Sequence, residues 1–185
     1  IKIVKEVEPC KHRYGFIDAS GKQKIGAIYE IAASFSEGLA VAGRREMDPS
    51  GKDFIGFSYG YINTEGNAAI AFQFNAAHSF SEGLARVNKG GKWAFIDKKG
   101  KEICAFKYLT AGDFSEGRAF VVAANTFYGF IDAKGKEVVT PAYEGAQPFT
   151  KGLAAVKRGG LWGYINGEGA AVVLFQFEDA KPFSE

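Results

Sequence analysis

One five-residue motif returns five times along this chain, and a polypeptide built that way has few folds open to it. Aromatic-Gly-aromatic-Ile-Asp/Asn stands at Tyr14–Asp18, Tyr59–Asn63, Tyr128–Asp132 and Trp162–Asn166, with Trp93-Ala94-Phe95-Ile96-Asp97 as a variant between them. A second aromatic follows 21 residues after the start of each motif, at Phe35, Phe80, Phe114, Phe149 and Phe183. A repeat of this length cannot bury its own apolar face and must stack on its neighbours.

Within the pentad, strand alternation puts the two aromatics on one face and Gly and Ile on the other. Gly at the second place implies that another backbone or ring comes close there, and Ala94 is the smallest departure from it. The residues that follow are Asp18-Ala19-Ser20-Gly21, Asn63-Thr64-Glu65-Gly66, Asp97-Lys98-Lys99-Gly100, Asp132-Ala133-Lys134-Gly135 and Asn166-Gly167-Glu168-Gly169. Asp/Asn first and Gly fourth is the pattern of a type I turn running into a glycine bulge, with the side chain capping the turn amides. Five evenly spaced acids and amides look like ligands, yet turn chemistry accounts for all of them.

A second strand follows, as in Glu102–Ala105 or Glu137–Thr140, and closes on a recurrent aromatic: Tyr29, Phe74, Tyr108, Tyr143 and Phe177. A short loop through Ala77, Ala111, Ala146 or Ala180 leads to the repeated Phe. Ser36-Glu37-Gly38, Ser81-Glu82-Gly83 and Ser115-Glu116-Gly117, with Thr150-Lys151-Gly152 as a variant, read as tight turns into a third strand. Gly-rich links such as Lys89–Lys92 and Lys157–Gly160 lead to the next pentad. No stretch carries a 3.6-residue period over helix length. The expected fold is all-β: a tandem array of about five three-stranded antiparallel units of about 34 residues in one domain, residues 1–185. The 17 Phe, 8 Tyr and 2 Trp are expected to be mostly core between units.

These residues resemble the WG-repeat (KWG) family of bacterial β-repeat proteins. The resemblance rests on the Trp/Tyr-Gly-Tyr/Phe-Ile-Asp start, the Gly-Lys turn and the Phe-Ser-Glu-Gly-Leu-Ala segment, and it covers roughly residues 14–185. Departures are Tyr for Trp in three pentads and Ala94 for Gly. The resemblance implies an all-β array with a binding or scaffolding role, and it brings no catalytic residues with it.

The spacing breaks once. From Phe35 to Tyr59 takes 24 residues, where the other repeats take 13 or 14. The extra residues fall within 43–58 and centre on Asp48-Pro49-Ser50-Gly51, a strong turn signal. A protruding hairpin is expected here, extending the third strand of one unit and the first of the next. Insertions in repeat arrays tend to mark a binding face. This one carries Arg44, Arg45, Met47, the only Met of the chain, Phe54 and Phe57, and these are the candidate binding residues. A neutral surface excursion is the competing reading, because long loops cost little.

The ends leave two architectures open. Ile1–Lys5 alternates like a strand without the repeat pattern in front of it, and the last repeat stops at Phe183-Ser184-Glu185. An open twisted solenoid is favoured, with exposed sheet edges that invite self-association. The alternative is a closed propeller-like ring in which the N-terminal segment supplies a strand to the last unit. The chain opens on Ile1 rather than Met, so a processed or cut N-terminus is expected.

Charge is nearly balanced, with 23 basic and 21 acidic residues, which argues against a nucleic-acid surface. No apolar run approaches the ~20 residues of a membrane-spanning helix. Cys10 and Cys104 read as small buried hydrophobes, and spacing alone gives no disulfide. His12 and His78 have no partner at metal-ligand spacing, no metal or cofactor motif is present, and none is expected. Glu37, Glu82, Glu116 and Glu185 recur by repetition and make poor glycosidase acids, which act as a specific pair across a cleft. The expected function is non-enzymatic binding or scaffolding of a protein, or secondarily a glycan. A passive spacer and an enzyme with a groove site are the alternatives.

Overall fold

The computed structural model describes residues 2–8 and 11–182, and every regular element among them is a β-strand. Ile1, Cys10 and the Phe183-Ser184-Glu185 segment lie outside the described residues. Five antiparallel meanders follow one another. The first joins β1 (Lys2–Glu8), β2 (Lys11–Ile17) and β3 (Gln23–Tyr29). The second joins β4 (Ile31–Ala32), β5 (Leu39–Met47), β6 (Phe54–Asn63) and β7 (Ala68–Phe74). The third joins β8 (Ala76–Ala77), β9 (Leu84–Lys89) and β10 (Lys92–Asp97). The fourth joins β11 (Thr110–Ala111), β12 (Arg118–Val122), β13 (Tyr128–Asp132) and β14 (Glu137–Tyr143). The fifth joins β15 (Gly145–Ala146), β16 (Leu153–Arg158), β17 (Leu161–Asn166) and β18 (Ala171–Phe177).

The expected three-stranded unit needs correcting in two ways. First, the sheet straddles the sequence repeat. The third strand of one repeat pairs with the pentad strand of the next, as in Ala40↔Ile62 and Ala154↔Ile165. The link between them explains this. Gly90-Gly91 and Gly159-Gly160 take positive φ at both positions, which makes a two-residue hairpin turn whose twist matches the strands it joins. Second, the loop through the repeated alanine is itself a short strand. Ala32, Ala77, Ala111 and Ala146 pair with Ala42, Val87, Val121 and Val156. Two residues are too few for a period to register in the sequence. At the N-terminus, β1 pairs with β2 in the place that third strands hold elsewhere, so it completes the first sheet and adds nothing to the last.

The pentad glycine does what its position implied. Tyr59 faces Phe74 and Tyr61 faces Ile70, so the single residue Gly60 lies opposite a three-residue bulge of β7. A Cβ on Gly60 would fall 2.7 Å from the Ile70 carbonyl oxygen, and one on Gly15, Gly129 or Gly163 would fall 2.5, 2.5 or 2.6 Å from the corresponding oxygen. Ala94 carries that methyl. Opposite it, the outer segment of the third sheet is reduced to the isolated bridges Trp93↔Tyr108 and Ile96↔Glu102. The one repeat that lacks the glycine is the one whose outer strand is not formed.

Turn chemistry also holds. Asp18, Asn63, Asp97, Asp132 and Asn166 each accept two turn amides through Oδ1, at 2.8–3.2 Å. The fourth-place glycines Gly21, Gly66, Gly100, Gly135 and Gly169 sit at φ 78–86°.

Cores lie between successive sheets. The second pentad aromatic points forward, and Phe16, Tyr61, Phe95 and Phe130 are each 0 % exposed. Each meets the repeated Phe of its own unit at 4.9 Å between ring centroids. The pentad Ile points backward: Ile62, Ile96, Ile131 and Ile165 join the core formed with the preceding sheet. The half-buried Cys104 is a free thiol whose pKa is raised by burial, and it stands beside the core between the third and fourth sheets.

Gly129→Ala is expected to destabilise the array by about 1–3 kcal/mol, because the new methyl must push β14 away. Urea denaturation measures the loss, and hydrogen exchange should speed up first in residues 137–143.

Candidate functional site

The insertion forms the expected ribbon. β5 and β6 run in register from Leu39↔Asn63 to Met47↔Phe54, well past the ends of β4 and β7. Its tip is closed by Asp48. Gly51 N–H donates to the Asp48 carbonyl at 2.8 Å, Lys52 and Asp53 N–H donate to Oδ1 at 2.8 and 3.1 Å, and the Ser50 hydroxyl donates to Oδ2 at 2.6 Å. Ser50, then the backbone amides, hold the Asp48 carboxyl down to about 2 from an ordinary 3.8.

The ribbon brings four of the five candidate residues together. Arg45 lies across from Phe57, and Met47 across from Phe54. Alternation puts Arg45 and Met47 on one face of β5. Phe54 meets Phe57 edge-on at 5.1 Å, and the Arg45 guanidinium lies 4.4 Å over the Phe54 ring. Phe54 is 44 % exposed and Met47 38 %, so this cluster faces solvent. Ile55, beside it at the bulge, is 59 % exposed.

Arg44 stands apart. It occupies the opposite face and lies 4.1 Å over Phe72 and 5.8 Å over Tyr29, two rings that stack across the first and second sheets. Arg158 repeats the arrangement over Tyr143 and Phe175, at 4.7 and 5.2 Å. The role of Arg44 therefore belongs to the repeat and not to the insertion. Aligning the repeats would have shown it, because Arg44 and Arg158 hold the same place in their units.

A second recurrent contact escaped the sequence reading. The Glu37 carboxylate accepts Gly83 N–H at 3.1 Å, and Lys98 pairs with it at 2.9 Å. Glu82 accepts the amides of Glu116 and Gly117, both at 2.7 Å. Glu116 accepts those of Lys151 and Gly152 at 2.6 and 2.7 Å. In parallel, the hydroxyls of Ser36, Ser81 and Ser115 donate to the carbonyls of Phe80, Phe114 and Phe149. Each Ser-Glu pair thus clamps the next turn, whose two central residues are both left-handed (Glu82 φ 55°, Gly83 φ 80°) and present their amides side by side. The recurrence of Ser-Glu-Gly was the signal; what it could not show was that the carboxylate reaches the following repeat.

Comparison with known proteins agrees with this periodicity. A family model described as "WG containing repeat" matches residues 14–42, 59–93, 93–125, 128–162 and 162–185, which is most of the chain. The chain belongs to the WG-repeat family. Most of the hairpin insertion, residues 43–58, lies outside every match. No curated protein matches the chain. Among solved structures, "Crystal structure of WD40 beta propeller domain of Doa1" aligns with a TM-score of 0.42 at 12% identity, over 88% of this chain and 60% of that one.

Within the WG-repeat pattern one cluster is singular. Arg86 stands where other repeats have Val41, Phe120 and Ala155. Its Nε donates to Asp113 at 2.7 Å and its Nη1 to the Ala111 carbonyl at 2.5 Å, while Nη2 lies 3.1 Å from His78 Nδ1. Trp93 stacks beside both, at 5.5 Å from His78 and 5.5 Å from the guanidinium. Burial, then the neighbouring Arg86, pushes His78 below its ordinary pKa. The polar groups of this cluster answer one another, so it reads as an interior brace. His12 lies on β2. Among the described residues no group of three His, Cys, Asp or Glu could hold a metal ion, and no helix is long and apolar enough to cross a membrane.

Two predictions follow from the turns. Glu82→Ala removes the cap on Glu116 and Gly117 and is expected to cost about 1–2 kcal/mol by analogy with lost helix caps, with Glu82→Gln falling between it and the native chain in urea melts. For Asp48, the folded pKa lies below the unfolded one. Its contribution is complete above about pH 4 and is lost as pH falls toward 2. An NMR titration should show the depressed value, and Ser50→Ala should move it up toward 3.8.

Proposed function

We propose that this WG-repeat chain is a non-enzymatic binding array whose protein partner docks on the projecting β5–β6 ribbon. The observation that carries the reading is the exposed Arg45–Met47–Phe54–Phe57 face on a segment outside the family repeat. Aromatic, Met and Arg side chains are those enriched in protein interfaces. The rigid five-sheet stack holds the ribbon clear of the remaining surface, which suits a scaffold. The non-enzymatic reading is supported by the occupation of the recurrent acids: the Asp/Asn set caps turns, and the described Ser-Glu-Gly glutamates cap the next repeat.

We further propose that the array is an open solenoid. Support comes from the last sheet, where Phe177 is 42 % exposed while its counterparts Tyr29, Phe74, Tyr108 and Tyr143 are at most 5 % exposed. A glycan ligand would use the same rings by stacking, and a passive spacer would need no such exposed cluster.

Pull-down and calorimetry on the full chain test the ribbon. Phe54→Ala and Arg45→Ala are each expected to weaken partner binding at least about tenfold with the fold intact by circular dichroism. Arg44→Ala should instead lower stability through lost stacking on Phe72. Unchanged affinity in both ribbon variants would place the interface elsewhere, and retention on a glycan array with no protein partner would turn the reading to sugar.

A further inference from the structure

The strand after each pentad forms the outer edge of its sheet, and these edges are guarded unequally. β3 carries Lys24, and β14 carries Glu137 and Pro141, all residues that discourage strand addition. β7 is uncharged, but the residues it exposes are alanines and Gln73. β18 reads Ala171-Val172-Val173-Leu174-Phe175-Gln176-Phe177, with no charge, no Pro and no Gly. It pairs with β17 on one side and ends its sheet on the other. Leu174 is 73 % exposed and Val172 56 %. Other repeats place Gly26, Ala71, Ala105 and Thr140 where Leu174 stands, and those positions are exposed too. The exposure thus belongs to this place in the repeat, and the large apolar side chain belongs to the fifth sheet alone.

We propose that β18 is a self-association edge, on which a second copy of this chain adds its own β18 antiparallel about Leu174. The pairing is isologous: residue 174 meets residue 174, and 172 meets 176. No like charges come opposite one another, a penalty that self-pairing through Lys24 of β3 or Glu137 of β14 would bring closer. The contact covers Leu174 and Val172 and satisfies the free backbone groups of the edge, joining two fifth sheets into one. It is independent of the ribbon and leaves that face open on both copies.

Sedimentation velocity on the full chain across the micromolar range tests this. The native chain is expected to show a concentration-dependent monomer–dimer equilibrium. Leu174→Lys should weaken it at least about tenfold. Ala71→Lys, the same charge on the equivalent place of β7, should leave it unchanged. Circular dichroism and thermal melts of both variants check that the monomer fold is kept. A native chain that stays monomeric, or a dimer indifferent to Leu174→Lys, overturns the proposal. So does capture of unrelated extended peptides without self-association. Phe54→Ala should not alter the dimer, which separates this result from any failure of the ribbon as a docking site.

Discussion

Burial of the aromatic face of one sheet against the isoleucine and alanine face of the next is the contact on which everything else in this molecule depends. No single sheet has two sides to a core. Phe16, Ile25 and Tyr29 are covered only because Ala40, Ala42 and Ile62 arrive from the second sheet. Truncating one such aromatic to Ala typically costs ~3–5 kcal/mol, whereas a turn cap is worth ~1 kcal/mol. The stack is therefore held by apolar contact, and the Ser-Glu clamps set spacing and register between turns. The clamps add direction: each carboxylate reaches forward to the following turn, so the repeats are linked head to tail by polar contacts as well as apolar ones.

The glycine of the pentad shows how a local rule shapes the sheet. It is needed for close approach, since its φ lies outside the left-handed region while a Cβ there would strike backbone. Where Ala94 replaces it, the outer strand is lost and the third sheet keeps a weaker edge. The structure tolerates this because Phe95, Leu84 and Tyr108 still fill the core toward the fourth sheet. Apolar burial outranks a few ladder hydrogen bonds, so a repeat can lose an edge strand without losing its place in the array.

Much of this was legible in the sequence because repetition acts as internal replication. The pentad strand, the Asx-type turn and the hairpin at residues 43–58 each follow from residue type and spacing, and their geometry agrees. The phase of the sheets was not legible. Two-residue strands carry no period, and only the positive φ at Gly90-Gly91 ties a third strand to the following pentad. Nor was the forward reach of Glu82 and Glu116, since a contact across about 35 residues depends on how sheets stack and not on either turn alone. In the candidate site the same division appears. Arg45, Met47, Phe54 and Phe57 came together as adjacent pairs on a hairpin, which register alone dictates. Arg44 fell to the other face because alternation sends neighbours apart, and its ring partners come from two different sheets.

This division bears on where specificity resides in the array. Residues fixed by the repeat, such as Arg158 over Tyr143 or Glu116 on Gly152, are engaged with neighbouring repeats and leave little for a ligand. A partner that distinguishes this chain from another array of the same family must read positions where the repeats differ. The ribbon and the apolar β18 edge are two such positions that are exposed, and the Arg86 brace is a third that is satisfied from within. The regular part of the sequence builds a rigid frame by stacking, and the irregular part supplies the surfaces through which recognition has to act.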